Sequence, residues 1–189
     1  MITPRFSAVL AALGAVLVLG TTSPAAAQPP TYELSAGYQF THITDQSFPI
    51  GFAVDAARNW GNLGLVAEGG WAFDSGSDEF DVDESFTLWH LAAGARVSGR
   101  QNPRVTPFGQ ILAGWLQARA NVEVAGIDIS DSTNHFMFQP GGGVSFQAGD
   151  GWSIVGSIDY RRVFIDEDDD DGSGENQFRI FFGARMLLD

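Results

Sequence analysis

Five stretches of this chain alternate apolar with polar or small residues at a period of two, and that pattern limits its fold more than any other feature. Along Tyr32 to Thr41, the apolar Tyr32, Leu34, Ala36, Tyr38 and Phe40 alternate with Glu33, Ser35, Gly37, Gln39 and Thr41. Such a segment is a strand with two unlike faces. Phe48, Ile50, Phe52 and Val54 stand against Gly51, Ala53 and Asp55 in the second stretch, and Leu63, Leu65, Ala67 and Trp71 against Gly64, Glu68 and Gly70 in the third. The fourth sets Trp89, Leu91, Ala93, Ala95 and Val97 against His90, Ala92, Gly94 and Arg96. The last sets Phe178, Ile180, Phe182, Ala184, Met186 and Leu188 against Gln177, Arg179, Gly183 and Arg185.

Three more segments follow the pattern less sharply. Val105 to Ala120 alternates, but the faces of Gln110 and Trp115 stay open. Phe136 to Gln147 carries Pro140 and three glycines, Gly141 to Gly143, which predicts a kinked or bulged strand. Trp152 to Val163 puts Trp152, Ile154, Ile158 and Tyr160 opposite Ser157, Asp159 and Arg161. No helical stripe competes with these strands, so the expected count is eight.

The start of the chain predicts export. Met1 to Ala27 reads as a cleaved signal peptide: Arg5, an apolar run from Phe6 to Leu19, then Ala25-Ala26-Ala27 before Gln28. The apolar run is short for a bilayer span, which needs about 20 residues. With no cysteine in the chain, disulfides cannot hold the exported part together. The remainder, 28–189, is one domain by length. It has no long apolar run, so it can cross a membrane only as a closed sheet that satisfies its own backbone.

The faces decide between a membrane barrel and a soluble, lipocalin-like carrier. A soluble barrel turns its large apolar face inward, whereas a transmembrane barrel turns it to lipid and lines its lumen with polar groups. Here the polar face is Gly, Ala, Ser and a few charges. Glu33, Asp55, Glu68 and Asp159 balance Arg96, Arg161, Arg179 and Arg185 there, four of each sign. Burial demands such pairing; a wetted surface does not. The expected fold is therefore all-β, an eight-stranded antiparallel up-and-down transmembrane β-barrel.

The connections sort in the same way. With the N-terminus in the periplasm, the periplasmic joints are short (Arg58 to Asn62, Ser98 to Arg104, Ala148 to Gly151) and hold Arg58, Arg100 and Arg104. The outer joints are Ile43 to Ser47, Asp74 to Ser85, Asn121 to Asn134 and Ile165 to Asn176, and most are longer. They hold seventeen of the twenty-three carboxylates and no arginine, so the net charge of -13 belongs to one rim. Short inner turns with long outer loops are the habit of bacterial outer-membrane barrels.

Four segments carry a resemblance: Phe136-Met-Phe-Gln-Pro-Gly-Gly-Gly-Val-Ser-Phe146, Gly151-Trp-Ser-Ile, Ser157-Ile-Asp-Tyr-Arg161 and Phe178-Arg-Ile-Phe-Phe-Gly-Ala-Arg185. With them the mature chain resembles the OmpA-type, opacity-protein-like superfamily of small outer-membrane β-barrels. The resemblance implies an outer-membrane location, reached through the outer-membrane assembly machinery. The final strand resembles the signal which that machinery reads, with Gly183 in place and Met186 and Leu188 at the hydrophobic positions after it. It departs in ending Leu188-Asp189 rather than on an aromatic, and in having Phe181 where a polar residue is usual.

The acidic run Asp166, Glu167, Asp168, Asp169, Asp170, Asp171 and on to Glu175 invites comparison with a calcium loop. Placing Gly172 sixth puts Glu167, Asp169 and Asp171 first, third and fifth, but Phe178 falls where a twelfth-position Glu belongs. The run is expected to be a solvated, self-repelling loop that attracts divalent cations weakly and without specificity. No specific metal site and no cofactor are expected. The three histidines, His42, His90 and His135, lie in no ligand spacing, and no nucleophile elbow occurs. A lipid-modifying hydrolase would use His and Ser near the rim, but His90 has the inward parity of Arg96. The expectation is a non-enzymatic protein with a structural or surface-interaction role, its lumen plugged by paired charges. The alternatives are a narrow pore and the soluble carrier. Outer-membrane lipid, lipopolysaccharide and an extracellular partner are the expected contacts of a monomer, and the acidic surface argues against nucleic acid.

Overall fold

The computed structural model describes residues 30–43, 46–77, 83–102, 104–124, 127–165 and 174–189. The expected signal peptide and most of the acidic run, 166–173, lie outside the described residues. The described chain forms β1 (Tyr32–Ile43), β2 (Gln46–Phe48), β3 (Ile50–Trp60), β4 (Leu63–Ser77), β5 (Asp83–Ser98), β6 (Val105–Val124), β7 (Ile127–Gly149), β8 (Trp152–Phe164) and β9 (Gly174–Leu188). β1 pairs antiparallel with both β2 and β3, each later strand pairs antiparallel with the next, and β9 returns to β1 from Tyr32↔Leu188 to Ile43↔Gln177. Eight strands thus close a barrel with no free edge, which satisfies the backbone internally. β2 is a short addition folded onto the far end of β1.

The tight turns sit at one end with the strand termini near residues 32 and 188, and the long hairpins at the other. Gly61 and Gly151 occupy two-residue turns at the first end with φ of 67° and 77°, a left-handed backbone that glycine adopts without penalty. Leu91, Trp115, Ile158 and Phe182 look outward, each more than 60 % exposed, while Glu33, Arg96, Asp159 and Arg179 face the lumen at 3 % or less. The period-two reading of the faces therefore holds along the barrel. Outward aromatics gather near both ends. Trp71 stacks against Phe52 and lies beside Trp89 near the hairpin end, and the Arg58 guanidinium sits 5.1 Å from the Trp60 ring centroid at the turn end.

Four expectations need correcting. Asn121 to Asn134 is not a loop. The β6–β7 ladder runs to Val124↔Ile127, and Val122 pairs with Ile129, because β-branched residues alternate through the segment under its polar and acidic neighbours. Asp74 to Ser85 is likewise mostly ladder, to Ser77↔Asp83. Phe48 does not share the outward face of Ile50: β2 ends before Pro49, and Phe48 is buried at the hairpin end of the lumen. Finally, the bulge in β7 lies between Gln147 and Gly149. At Gln139 and Pro140 the ladder to β8 lapses, then resumes in unchanged register at Gly141↔Asp159. A proline lacks one N–H without forcing an extra residue.

Candidate functional site

The lumen is filled by three layers of side chains. At the turn end Glu33 (β1) is ringed by arginines: Arg100 at 2.6 Å, Arg185 (β9) at 3.4 Å and Arg96 (β5) at 3.5 Å. Arg96 also bridges to Asp55 (β3) at 3.0 Å. Phe108 (β6) lies between Arg96 and Arg185, with each guanidinium carbon 4.9 Å from its ring centroid. That geometry adds a cation–π attraction while keeping two like charges apart.

The middle layer turns on Arg179 (β9), which meets Glu68 (β4) and Asp159 (β8) at 2.8 Å each. Ser157 donates to Asp159 at 3.1 Å, and His90 Nε2 lies 3.2 Å from Glu68 Oε1. Amides link the layers. Arg96 Nε donates to Gln110 Oε1 at 3.0 Å, and Gln110 Nε2 donates to Asp159 at 3.1 Å. Gln139 Nε2 donates to Glu68 at 3.0 Å and accepts from Arg161 Nε at 2.9 Å. One hydrogen-bonded chain therefore runs from Asp55 through Arg96, Gln110, Asp159, Arg179, Glu68 and Gln139 to Arg161.

The third layer, toward the hairpin end, is apolar. Ile43, Phe48, Leu88, Leu116, Met137 and Val163 are buried together there. The inward face is thus not uniformly small and polar, as the alternation alone suggests. It carries the charges over the turn-end and middle layers, with Phe108, Val155 and Phe181 packed among them, and is apolar toward the hairpin end.

Two glycines make room for the charges. A Cβ on Gly141 would come within 1.9 Å of Asp159 Oδ1, and one on Gly70 within 2.2 Å of the His90 ring. Gly141→Val is therefore expected to push Asp159 off Arg179 and destabilise the barrel by about 1–3 kcal/mol, as overpacking does. The urea midpoint of the refolded protein measures it.

All eight expected lumen charges, Glu33, Asp55, Glu68, Arg96, Asp159, Arg161, Arg179 and Arg185, point inward and are buried. His90 joins them, as its parity requires. Four residues of the network were not read from the sequence: Arg100, Gln110, Gln139 and Phe108. By sequence Arg100 belongs to a periplasmic joint, and it leans in from the β5–β6 turn to Glu33. Gln110 was left open because both faces of β6 are largely apolar, so parity could not assign them; it faces the lumen, and Trp115 faces outward. Of the acidic run, Glu175 alone lies among the described residues, opposite Val163. Met186 and Leu188 face outward, while Gly183 sits against Gly37, where a Cβ would meet Ala36 O at 2.3 Å. Phe181 is buried below the Arg179 guanidinium, 5.9 Å from its ring centroid. Among the described residues, no group of three or more His, Asp or Glu side chains is arranged to hold a metal.

A family model described as an outer membrane protein beta-barrel domain matches residues 11–185. Among solved structures, Neisserial surface protein A superposes with a TM-score of 0.60 at 14% identity, over 83% of this chain and 96% of that one. Ail, the attachment invasion locus protein of Yersinia pestis, superposes with a TM-score of 0.57 at 18% identity, over 84% of this chain and 100% of that one. A second Ail structure, in complex with the heparin analogue sucrose octasulfate, gives 0.53 at 17% identity over 82% and 96%. Identities this low speak for the fold alone. No curated protein matches the chain.

Proposed function

The chain belongs to the outer-membrane protein β-barrel domain family and sits in the bacterial outer membrane, and from that premise we propose that it is a non-catalytic surface protein whose lumen is closed and whose acidic rim does the recognising. The lipocalin-like reading falls, since the large apolar side chains face outward and the family is one of membrane barrels. The observation that carries the proposal is the filled lumen. An apolar layer lies across the hairpin end, over two layers of arginines and carboxylates tied by side-chain hydrogen bonds. Eight-stranded barrels have room for little else.

Wild-type protein in a planar bilayer is expected to show no steady conductance. A variant that thins both kinds of layer, Leu116→Ser and Met137→Ser with Glu68→Gln, is expected to conduct. Steady wild-type channels would instead favour the narrow-pore reading.

The rim supplies the chemistry of a partner. One of the similar barrels was solved with a sulfated heparin analogue, but a rim holding seventeen carboxylates repels a polyanion. A cationic protein surface, or divalent cations shared with lipopolysaccharide, suits it better. With seventeen carboxylates in the outer joints, calcium is expected to raise the thermal midpoint of the barrel by a few degrees by neutralising part of their mutual repulsion. A calcium titration that leaves the midpoint unchanged rejects this. The assembly machinery would read Gly183, Met186 and Leu188, and a monomer would suffice for each of these roles.

A further inference from the structure

Arg179 takes both middle-layer carboxylates, and Arg161 is left with none. Arg161 (β8) is fully buried, and its hydrogen-bond partners are neutral amides. Its Nε donates to Gln139 Oε1 at 2.9 Å and its Nη1 to Gln177 Oε1 at 3.4 Å. Among the described residues, no carboxylate lies within 4.0 Å of it. Its Nη2 has no protein acceptor, and neither the Gln177 amide nitrogen nor the Thr41 hydroxyl finds a partner among the described residues. These groups occupy neighbouring inward positions on adjacent strands. Arg161 pairs with Gln177, Gln177 pairs with Ile43, and Thr41 is the next inward residue along β1. All three side chains are 1 % exposed.

Among the described residues the middle layer sets two guanidiniums, of Arg161 and Arg179, against two carboxylates, of Glu68 and Asp159, and both carboxylates contact Arg179. A guanidinium does not escape burial by losing its proton. The amide oxygens of Gln139 and Gln177 take its Nε and Nη1 and leave its Nη2 without an acceptor. Next to the three donors lie Ile43, Met137 and Val163 of the apolar layer, which leave little room for a large or strongly hydrated group.

We propose that Arg161, Gln177 and Thr41 form a buried site for one small monovalent anion of the halide class, chloride being the abundant case. The ion would accept from three buried donors that have no partner among the described residues. It is a structural ion, held beneath the apolar layer.

The test is urea unfolding of the full barrel in lipid vesicles, with chloride replacing gluconate at constant ionic strength; gluconate is too large for the site. Above saturation, each tenfold rise in chloride is expected to lower the wild-type unfolding constant about tenfold. Arg161→Gln is expected to abolish that dependence. Thr41→Val, which keeps the shape and should fold even if the first variant does not, is expected to raise the half-effect concentration about tenfold, the loss of one bond to a charged group. Crystals grown in bromide should show an anomalous peak against Arg161 Nη2. Equal wild-type stability in chloride and gluconate, or an ordered water alone at that position, overturns the proposal.

Discussion

Arg179→Met is expected to lower the unfolding free energy of the barrel by about 3–5 kcal/mol, the cost of breaking a buried ion pair from one side. The size follows from what the substitution strands. Glu68 and Asp159 both meet Arg179 at 2.8 Å, and both are buried. Without the guanidinium, two carboxylates share a water-poor interior with only amide, hydroxyl and imidazole partners. Glu68→Gln in the same chain removes one stranded charge, so the double variant should be more stable than the sum of the singles predicts. Arg179→Lys should fall in between, since a single ammonium cannot match the spread of the planar fork between two carboxylates. Urea unfolding in vesicles, read by the folded-band gel shift, measures all three. A loss under about 1 kcal/mol for Arg179→Met, the size of a surface pair, would mean that water screens the middle layer and that the lumen is open.

Ile158→Arg is expected to cost about 2–4 kcal/mol, the penalty for a cation on the lipid face at mid-bilayer depth. Ile158 is 63 % exposed, on the strand position next to Asp159 of the middle layer. Exposure of that degree on a soluble barrel would make the same change nearly neutral, within about 0.5 kcal/mol. Leu63→Arg, beside the tight β3–β4 turn, is the control. Near the interface the cost should fall to about 0–1 kcal/mol, because the side chain reaches the headgroups. Equal small effects at both positions would remove lipid from the outer face.

These two substitutions probe the two faces that the alternation separates, and the sequence reading of them differs in quality. The lipid face was legible almost residue by residue, because every outward position must be apolar and the strand period is two. The eight lumen charges were legible for a related reason: a buried charge on the inward parity needs a counter-charge, and the counts balanced. The lumen's third layer was not legible. Leu88, Leu116, Met137 and Val163 have inward parity on strands whose outward residues are also apolar, so the pattern has no contrast there. Phe48 was misread because Pro49 breaks the strand and resets its direction. The carboxylates between Val122 and Ile129 hid a hairpin whose backbone pairing does not depend on them.

Sequence by itself determined the strand period, the number of strands, the closed sheet and the lipid-facing positions, since each follows from local alternation along the chain. Only the tertiary structure decided who pairs with whom. Arg179 could have taken one carboxylate and Arg161 the other; barrel closure and register instead set Arg179 within 2.8 Å of both and left Arg161 among amides. Those contacts join residues as far apart as Glu68 and Arg179, and the distances between such residues are set by the stagger of strands around the barrel, which no local pattern encodes.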